Sequence, residues 1–224
     1  NCSVFREHSV QISISIYKYL RSFLKLRPMG KILASKMERS KMKSLCFLYF
    51  CKGFQDSCME WRDRISSKVI EFYAGEEPAI AQIQHTQTVA SYTRMIAAGE
   101  GIEGRMLDLM ETAAWLHDIG CPDARRCYGD SLPVHQQEMG RQKVSVWMQE
   151  IEELTREEKQ WLADVVGTHH RFDSARQFHF EPLYEADLIV NLIEGYYERS
   201  QARHYYDTVM TTATGRKLFA SLFL

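Results

Sequence analysis

His117 and Asp118 stand side by side in Ala113-Ala-Trp-Leu-His-Asp-Ile-Gly120, at the C-terminal end of the most apolar segment of the chain. A carboxylate placed there is costly to bury unless it is paired or bound to a cation. Imidazole nitrogen together with carboxylate oxygen suits Mn, Fe, Co, Ni or Zn, and suits Mg less well. By itself the dipeptide is better read as a histidine facing the helix dipole with Asp118 in an exposed turn, because two-residue motifs recur by chance. The argument for a metal rests on a wider set. His85 lies on the preceding amphipathic segment, His169 and His170 end a later one, and Asp187 sits in the apolar run Tyr184-Glu-Ala-Asp-Leu-Ile-Val-Asn191 with no basic neighbour. Convergence of His85, His117, Asp118 and Asp187 would make a mixed nitrogen and oxygen site with open positions.

These residues must be positioned by helices. From Met59 onward nearly every segment carries a helical rhythm. Trp61, Ile65, Val69 and Phe72 recur on one face. Gly75-Glu-Glu-Pro78 breaks that helix, and a second is expected over about 79–98, with Ile83, Val89, Tyr92 and Ile96 inward. A third, about 105–118, carries Met106, Leu109, Met110, Ala113, Ala114 and Leu116; apolar around most of its girth, it should be central. Residues 120–133, with Gly120, Pro122, Gly129 and Pro133, read as a loop. A fourth helix is expected over about 135–151. A fifth starts at the capping box Thr155-Arg-Glu-Glu158 and ends near Thr168. Pro182 suits the first turn of a sixth, to about Ile193. The last covers roughly 199–211, before a segment beginning at Gly215. With no repeat and no parallel-sheet pattern, the fold class is all-α.

Composition agrees with a soluble domain. Hydrophobic residues make up 45% of the 224-residue chain, enough to fill a core. Charge is unevenly placed: residues 1–58 carry eleven Lys/Arg against three Asp/Glu, and residues 59–224 carry 17 against 26. We therefore expect two parts, a basic N-terminal extension over 1–58 and a helical domain over 59–224, with Met59 as the functional start and the extension either upstream read-through or poorly ordered. The rival reading of 1–58 is a basic arm for nucleic acid or anionic lipid. No Arg/aromatic recognition motif supports it, so nucleic acid is not an expected partner. Cys2, Cys46, Cys51, Cys58, Cys121 and Cys127 match no zinc ribbon or finger spacing, and a disulfide framework does not suit a chain with a full core. No run reaches the ~18 apolar residues a membrane span needs. The run Lys41–Cys51 mimics a signal peptide but lacks a small-residue cleavage site. A reducing, cytoplasmic setting is expected.

The order His85, His117-Asp118, Asp187 resembles the HD superfamily of metal-dependent phosphohydrolases, and Leu116-His-Asp-Ile-Gly120 is similar to its central motif. A group of small bacterial HD proteins resembles the chain further, through Ala124-Arg-Arg-Cys-Tyr-Gly129, Gln136-Gln-Glu-Met-Gly140, Val166-Gly-Thr-His-His170, Glu185-Ala-Asp-Leu-Ile-Val-Asn191 and Thr212-Ala-Thr-Gly-Arg-Lys217. The resemblance runs from about Met59 to the C-terminus. It implies an orthogonal helical bundle around one metal held by His85, His117, Asp118 and Asp187. It also implies a candidate second metal or phosphate contact from His169 or His170, with His135 equally readable as a surface residue at a helix start. The text after His170 lacks the Gly-Tyr-Pro signature of the cyclic-dinucleotide branch. Ile119-Gly-Cys-Pro-Asp123 lacks the acidic pair of the alarmone hydrolases.

The implied chemistry is hydrolysis of a phosphomonoester or phosphodiester of a nucleotide or similar small phosphate. A divalent ion (Mn, Fe, Co, Ni or Zn; one or two) would lower the pKa of water and polarise a phosphoryl oxygen. Asp118 is placed to ligate and to take up a proton. Arg125, Arg126 and Arg171 are candidates for phosphate oxygens, although each alone also reads as a solvated loop residue. Asn191, one turn beyond Asp187, is expected to support it, while Glu185 should point elsewhere. A non-catalytic helical sensor or scaffold that kept the metal is the alternative; retention of all four ligands favours the enzyme. Substrate, metal identity and oligomeric state are left open, as are the places of Tyr196, Tyr197, Tyr205 and Tyr206, core or interface.

Overall fold

An i, i+4 apolar stripe starts the first helix, α1 (Trp61–Ala74), where Trp61, Ile65, Val69 and Tyr73 are buried. Tyr73 takes the innermost place, and the expected Phe72 packs at the edge of the core. This is a computed structural model, and it describes residues 59–224; the expectations for residues 1–58 lie outside the described residues. After α1 come α2 (Ala79–Gly99), α3 (Gly104–Leu116), α4 (Cys121–Tyr128), α5 (Pro133–Trp147), α6 (Arg156–Val166), α7 (Phe172–Phe178), α8 (Glu181–Glu194), α9 (Ala202–Thr208) and α10 (Ala213–Phe223). Short 3-10 turns cover Met148–Glu150 and Arg199–Gln201. The described residues contain helix and turn and no strand, so the all-α class holds.

α2 is the hub, packing most extensively against α3 and α8. These three helices supply Val89, Ile96, Met110, Ala113, Leu116, Leu183, Ile189 and Leu192 to one continuous core. α3 is central as its composition predicts, except that Met106 in its first turn is 46% exposed. α5 joins α6 and α4 in a second packed group, tied to the hub through α3 and α6.

Local chemistry explains where several helices start. Thr155 Oγ1 accepts from the Glu158 amide at 3.2 Å, and the Thr155 amide donates back to Glu158 Oε2 at 2.7 Å, so the expected capping box opens α6. Pro182 sits in the first turn of α8, as expected. The loop expected over 120–133 is corrected: it contains α4. Pro122 lies in the first turn of that helix and Gly129 closes it with φ +79°, so residues that suggest a loop instead bound a two-turn helix. Three further boundaries differ. α3 stops at Leu116, so His117 and Asp118 lie in the turn after it. α5 runs 133–147 and tightens to a 3-10 turn. The 199–211 segment is a 3-10 turn followed by the shorter α9. α7 and α10 were not expected as helices. α10 opens on Thr212, whose hydroxyl accepts from the Gly215 amide at 3.0 Å.

One backbone contact bears directly on the site. A Cβ at Gly120 would collide with the backbone of Gln136 and lie 2.9 Å from Gly140 Cα. The start of α4 and the middle of α5 thus touch without side chains between them. That contact fixes the turn carrying His117 and Asp118 against α5.

Candidate metal centre

α2 contributes His85, the turn after α3 contributes His117 and Asp118, and α8 contributes Asp187. His85, His117 and Asp187 are buried, and the Asp118 side chain is 15% exposed. Their ligand atoms converge. His85 Nε2 lies 3.2 Å from His117 Nε2, 3.6 Å from Asp118 Oδ2 and 3.4 Å from Asp187 Oδ1. His117 Nε2 lies 3.5 Å from Asp118 Oδ2 and 3.6 Å from Asp187 Oδ1. Bonds of about 2.0–2.2 Å from a metal to nitrogen or oxygen place neighbouring ligand atoms about 3.0–3.5 Å apart. Each carboxylate oxygen therefore stands at the spacing of a coordination shell from both imidazole nitrogens.

The opposite edge of each ring explains its orientation. His117 Nδ1 donates to the Ala114 carbonyl at 2.7 Å, and His169 Nδ1 donates to the Val166 carbonyl at 2.8 Å. A carbonyl only accepts, so Nδ1 carries a proton, and in the neutral ring Nε2 keeps the lone pair. His85 Nδ1 meets Glu194 Oε2 at 2.9 Å. All three Nε2 atoms turn toward the carboxylates, and His169 Nε2 lies 3.5 Å from Asp118 Oδ1. Both of those last atoms are buried without a hydrogen-bond partner. Buried polar atoms are rarely left so. This donor set fits a divalent ion of the nitrogen- and oxygen-preferring kind.

Electrostatics point the same way. Burial pulls His85 down, but Asp187, Asp118 and Glu194 outweigh it and hold its pKa at about 9. Burial also opposes the charge on His117, yet Asp118 and Asp187 raise it. Burial would raise both aspartates, but His117, His169 and His85 hold Asp118 below the usual carboxylate range. His117 and His85 do the same for Asp187. The cluster thus draws positive charge into itself, as protons on the imidazoles or as a cation on their lone pairs.

The remaining candidates separate clearly. Asn191 Nδ2 donates to Asp187 Oδ1 and to the Asp187 carbonyl, each at 2.9 Å, so it steadies that carboxylate as expected. Glu185 points away, also as expected, and accepts from the amides and hydroxyls of Thr211 and Thr212. The two adjacent histidines part company. His169 is buried against Asp118, whereas His170 lines the cleft beside it and receives the Gln136 amide. Burial and the neighbouring His169 press His170 down to about 4, which keeps it neutral. Asp118, His169 and His170 form a second group of close ligand atoms sharing Asp118 with the first. His135 is not in either group: its Nδ1 pairs with Asp130 at 2.7 Å and its ring stacks on Tyr128.

A cleft of about 260 Å3 opens over the cluster, and Asp118, Asp187, His85 and His170 reach it. Of the three arginines only Arg125 lines it. Arg126 is taken by Glu76 and Asp123. Arg171 is exposed at the start of α7 and does not line the cleft. Sequence reasoning missed Glu194, the partner of His85. The signal was its place seven residues after Asp187, two turns along the same helix face. It also left Tyr196 and Tyr197 undecided; both line the cleft.

No protein-family model matches the chain, and neither a curated protein nor a solved structure does. Among the described residues no helix is long and apolar enough to cross a membrane.

Proposed function

We propose that this protein is a metal-dependent phosphohydrolase of the HD type, acting on a small phosphomonoester or phosphodiester such as a nucleotide. The observation that carries the reading is the facing pair His85 Nε2 and His117 Nε2, 3.2 Å apart, with Asp118 Oδ2 and Asp187 Oδ1 each 3.4–3.6 Å from both, beneath an open cleft. Those four atoms would hold a divalent ion (Mn, Fe, Co, Ni or Zn), and His169 with His170 would assist a second one through Asp118. Such an ion supplies Lewis acidity and a more acidic water.

The chain's own groups do the rest. Glu194 and the Ala114 carbonyl hold the imidazole tautomers, and Asn191 holds the Asp187 carboxylate. Asp118, whose side chain reaches the cleft, would take up a proton from an attacking water. Among the described residues Arg125 has only neutral partners, the Glu77 carbonyl and Gln82 Oε1, and it reaches the cleft, where its charge would meet a phosphate oxygen.

Phosphate release from a panel of monoesters, and alcohol release from a panel of diesters, with each of the five metals, tests the reading. Metal-dependent turnover that vanishes in Asp118→Ala is expected. Turnover that survives in Asp118→Ala contradicts the assignment, and metal uptake without any turnover favours a metal-binding sensor or scaffold.

A further inference from the structure

The side chains around the cleft limit what it can hold. Among the described residues that line it, Arg125 is the only Lys or Arg, and Asp118 and Asp187 are the only carboxylates. A single divalent ion with Arg125, set against two carboxylates, leaves one positive charge to meet an anion. One phosphomonoester group, with roughly 1.5 to 2 negative charges near pH 7, already uses all of that charge. A second phosphate would enter a partly buried site with no basic side chain to receive it, and unpaired charge there is costly.

The outer wall has a different character. Tyr196 and Tyr197 follow α8 directly, after Gly195 ends it with φ +81°. Tyr196 is 72% exposed and Tyr197 38%, although both line the cleft. Neither hydroxyl has a hydrogen-bond partner within the described residues, and Tyr197 borders the core through Tyr205, with ring centroids 5.8 Å apart. An exposed aromatic face at the rim of a charged cleft offers stacking to a flat group. At about 260 Å3 the cleft is also smaller than the roughly 300–1,000 Å3 typical of drug-sized ligands.

Resting on the phosphohydrolase reading, we infer that the cleft takes an ester with one phosphate group whose alcohol portion carries a flat aromatic ring. The phosphate lies against the His/Asp cluster and Arg125, and the ring lies against Tyr196 and Tyr197. The structure thus assigns Arg125 and Tyr196 opposite halves of one specificity: charge count and ring contact.

Three probes separate these halves on the manganese-loaded 224-residue chain: adenosine 5′-monophosphate, adenosine 3′,5′-bisphosphate and ribose 5-phosphate. Binding is measured by calorimetry and phosphate release is followed in parallel. The monophosphate is expected to bind at least about tenfold more tightly than the bisphosphate. Tyr196→Ala should weaken the monophosphate about two- to tenfold and leave ribose 5-phosphate unchanged. Arg125→Gln should weaken all three. A bisphosphate bound as well as the monophosphate, no binding of any probe, or a Tyr196→Ala variant with unaltered monophosphate affinity would overturn the inference. The expected binding order without phosphate release removes the hydrolase reading and leaves the ligand preference standing.

Discussion

The Nε2 atoms of His85 and His117 face each other at 3.2 Å while their Nδ1 atoms are occupied by Glu194 and the Ala114 carbonyl. Two lone pairs cannot rest at that distance without positive charge between or upon them. The pair sits against Asp118 and Asp187, so three separate segments bring together groups that could hold a cation.

Glu194 and Asn191 touch the ligands, not the space between them. Glu194→Gln and Asn191→Ala are each expected to weaken metal binding about 10–100-fold with the fold intact. Chelator competition measures this. Wild-type affinity in both variants would show that the rings and carboxylate need no support.

Gly120 is a packing requirement. Any side chain there meets the backbone of Gln136 and Gly140, which cannot swing aside. Gly120→Ala should destabilise the domain by about 1–3 kcal/mol or more and reduce metal content with it, because Asp118 lies two residues away. A denaturation midpoint equal to wild type would contradict the close contact.

Glu185 is a buried carboxylate that accepts four hydrogen bonds from Thr211 and Thr212 at the approach to α10. Burial raises its pKa and these donors oppose the rise. Glu185→Ala strands two amides and two hydroxyls, and a loss of about 3 kcal/mol is expected in chemical denaturation. Metal affinity should change far less than stability, since Glu185 contacts no ligand.

Glu158 carries a pH dependence. Its hydrogen bonds with Arg105 lower its pKa from 4.5 to about 2, against the effect of burial. A depressed carboxylate stabilises the fold above its unfolded pKa, and that contribution is lost as pH falls from about 4.5 toward 2. Glu158→Gln should therefore flatten the acid side of the stability profile between those limits and lower stability at pH 7. An unchanged profile would show that the Arg105 pair adds nothing.

Much of this was legible in the residues, and the gaps have physical causes. The long helices announce themselves because each buries one stripe: Trp61, Ile65 and Val69 on α1 recur at the helical period. Thr155 and Glu158 mark a helix start because the cap is local chemistry. α4 and α7 are too short to show a period, and Pro122 and Gly129 at the ends of α4 look the same in a loop as at helix ends. The four candidate ligands could be named from residue type and order. Their partners are harder to see, because Glu194 looks like any other helix-end glutamate until α8 is laid beside α2. His135 shows the converse. Its type fits a site, but Asp130 and Tyr128, close by in the chain, claim it.

Metal content of the full chain, wild type beside Asp118→Ala, tests the central claim most directly. About one or two equivalents of Mn, Fe, Co, Ni or Zn in the wild type, lost in the variant at unchanged helix content, is the expected result. A wild-type chain that takes up none of these five metals when each is supplied would contradict the account.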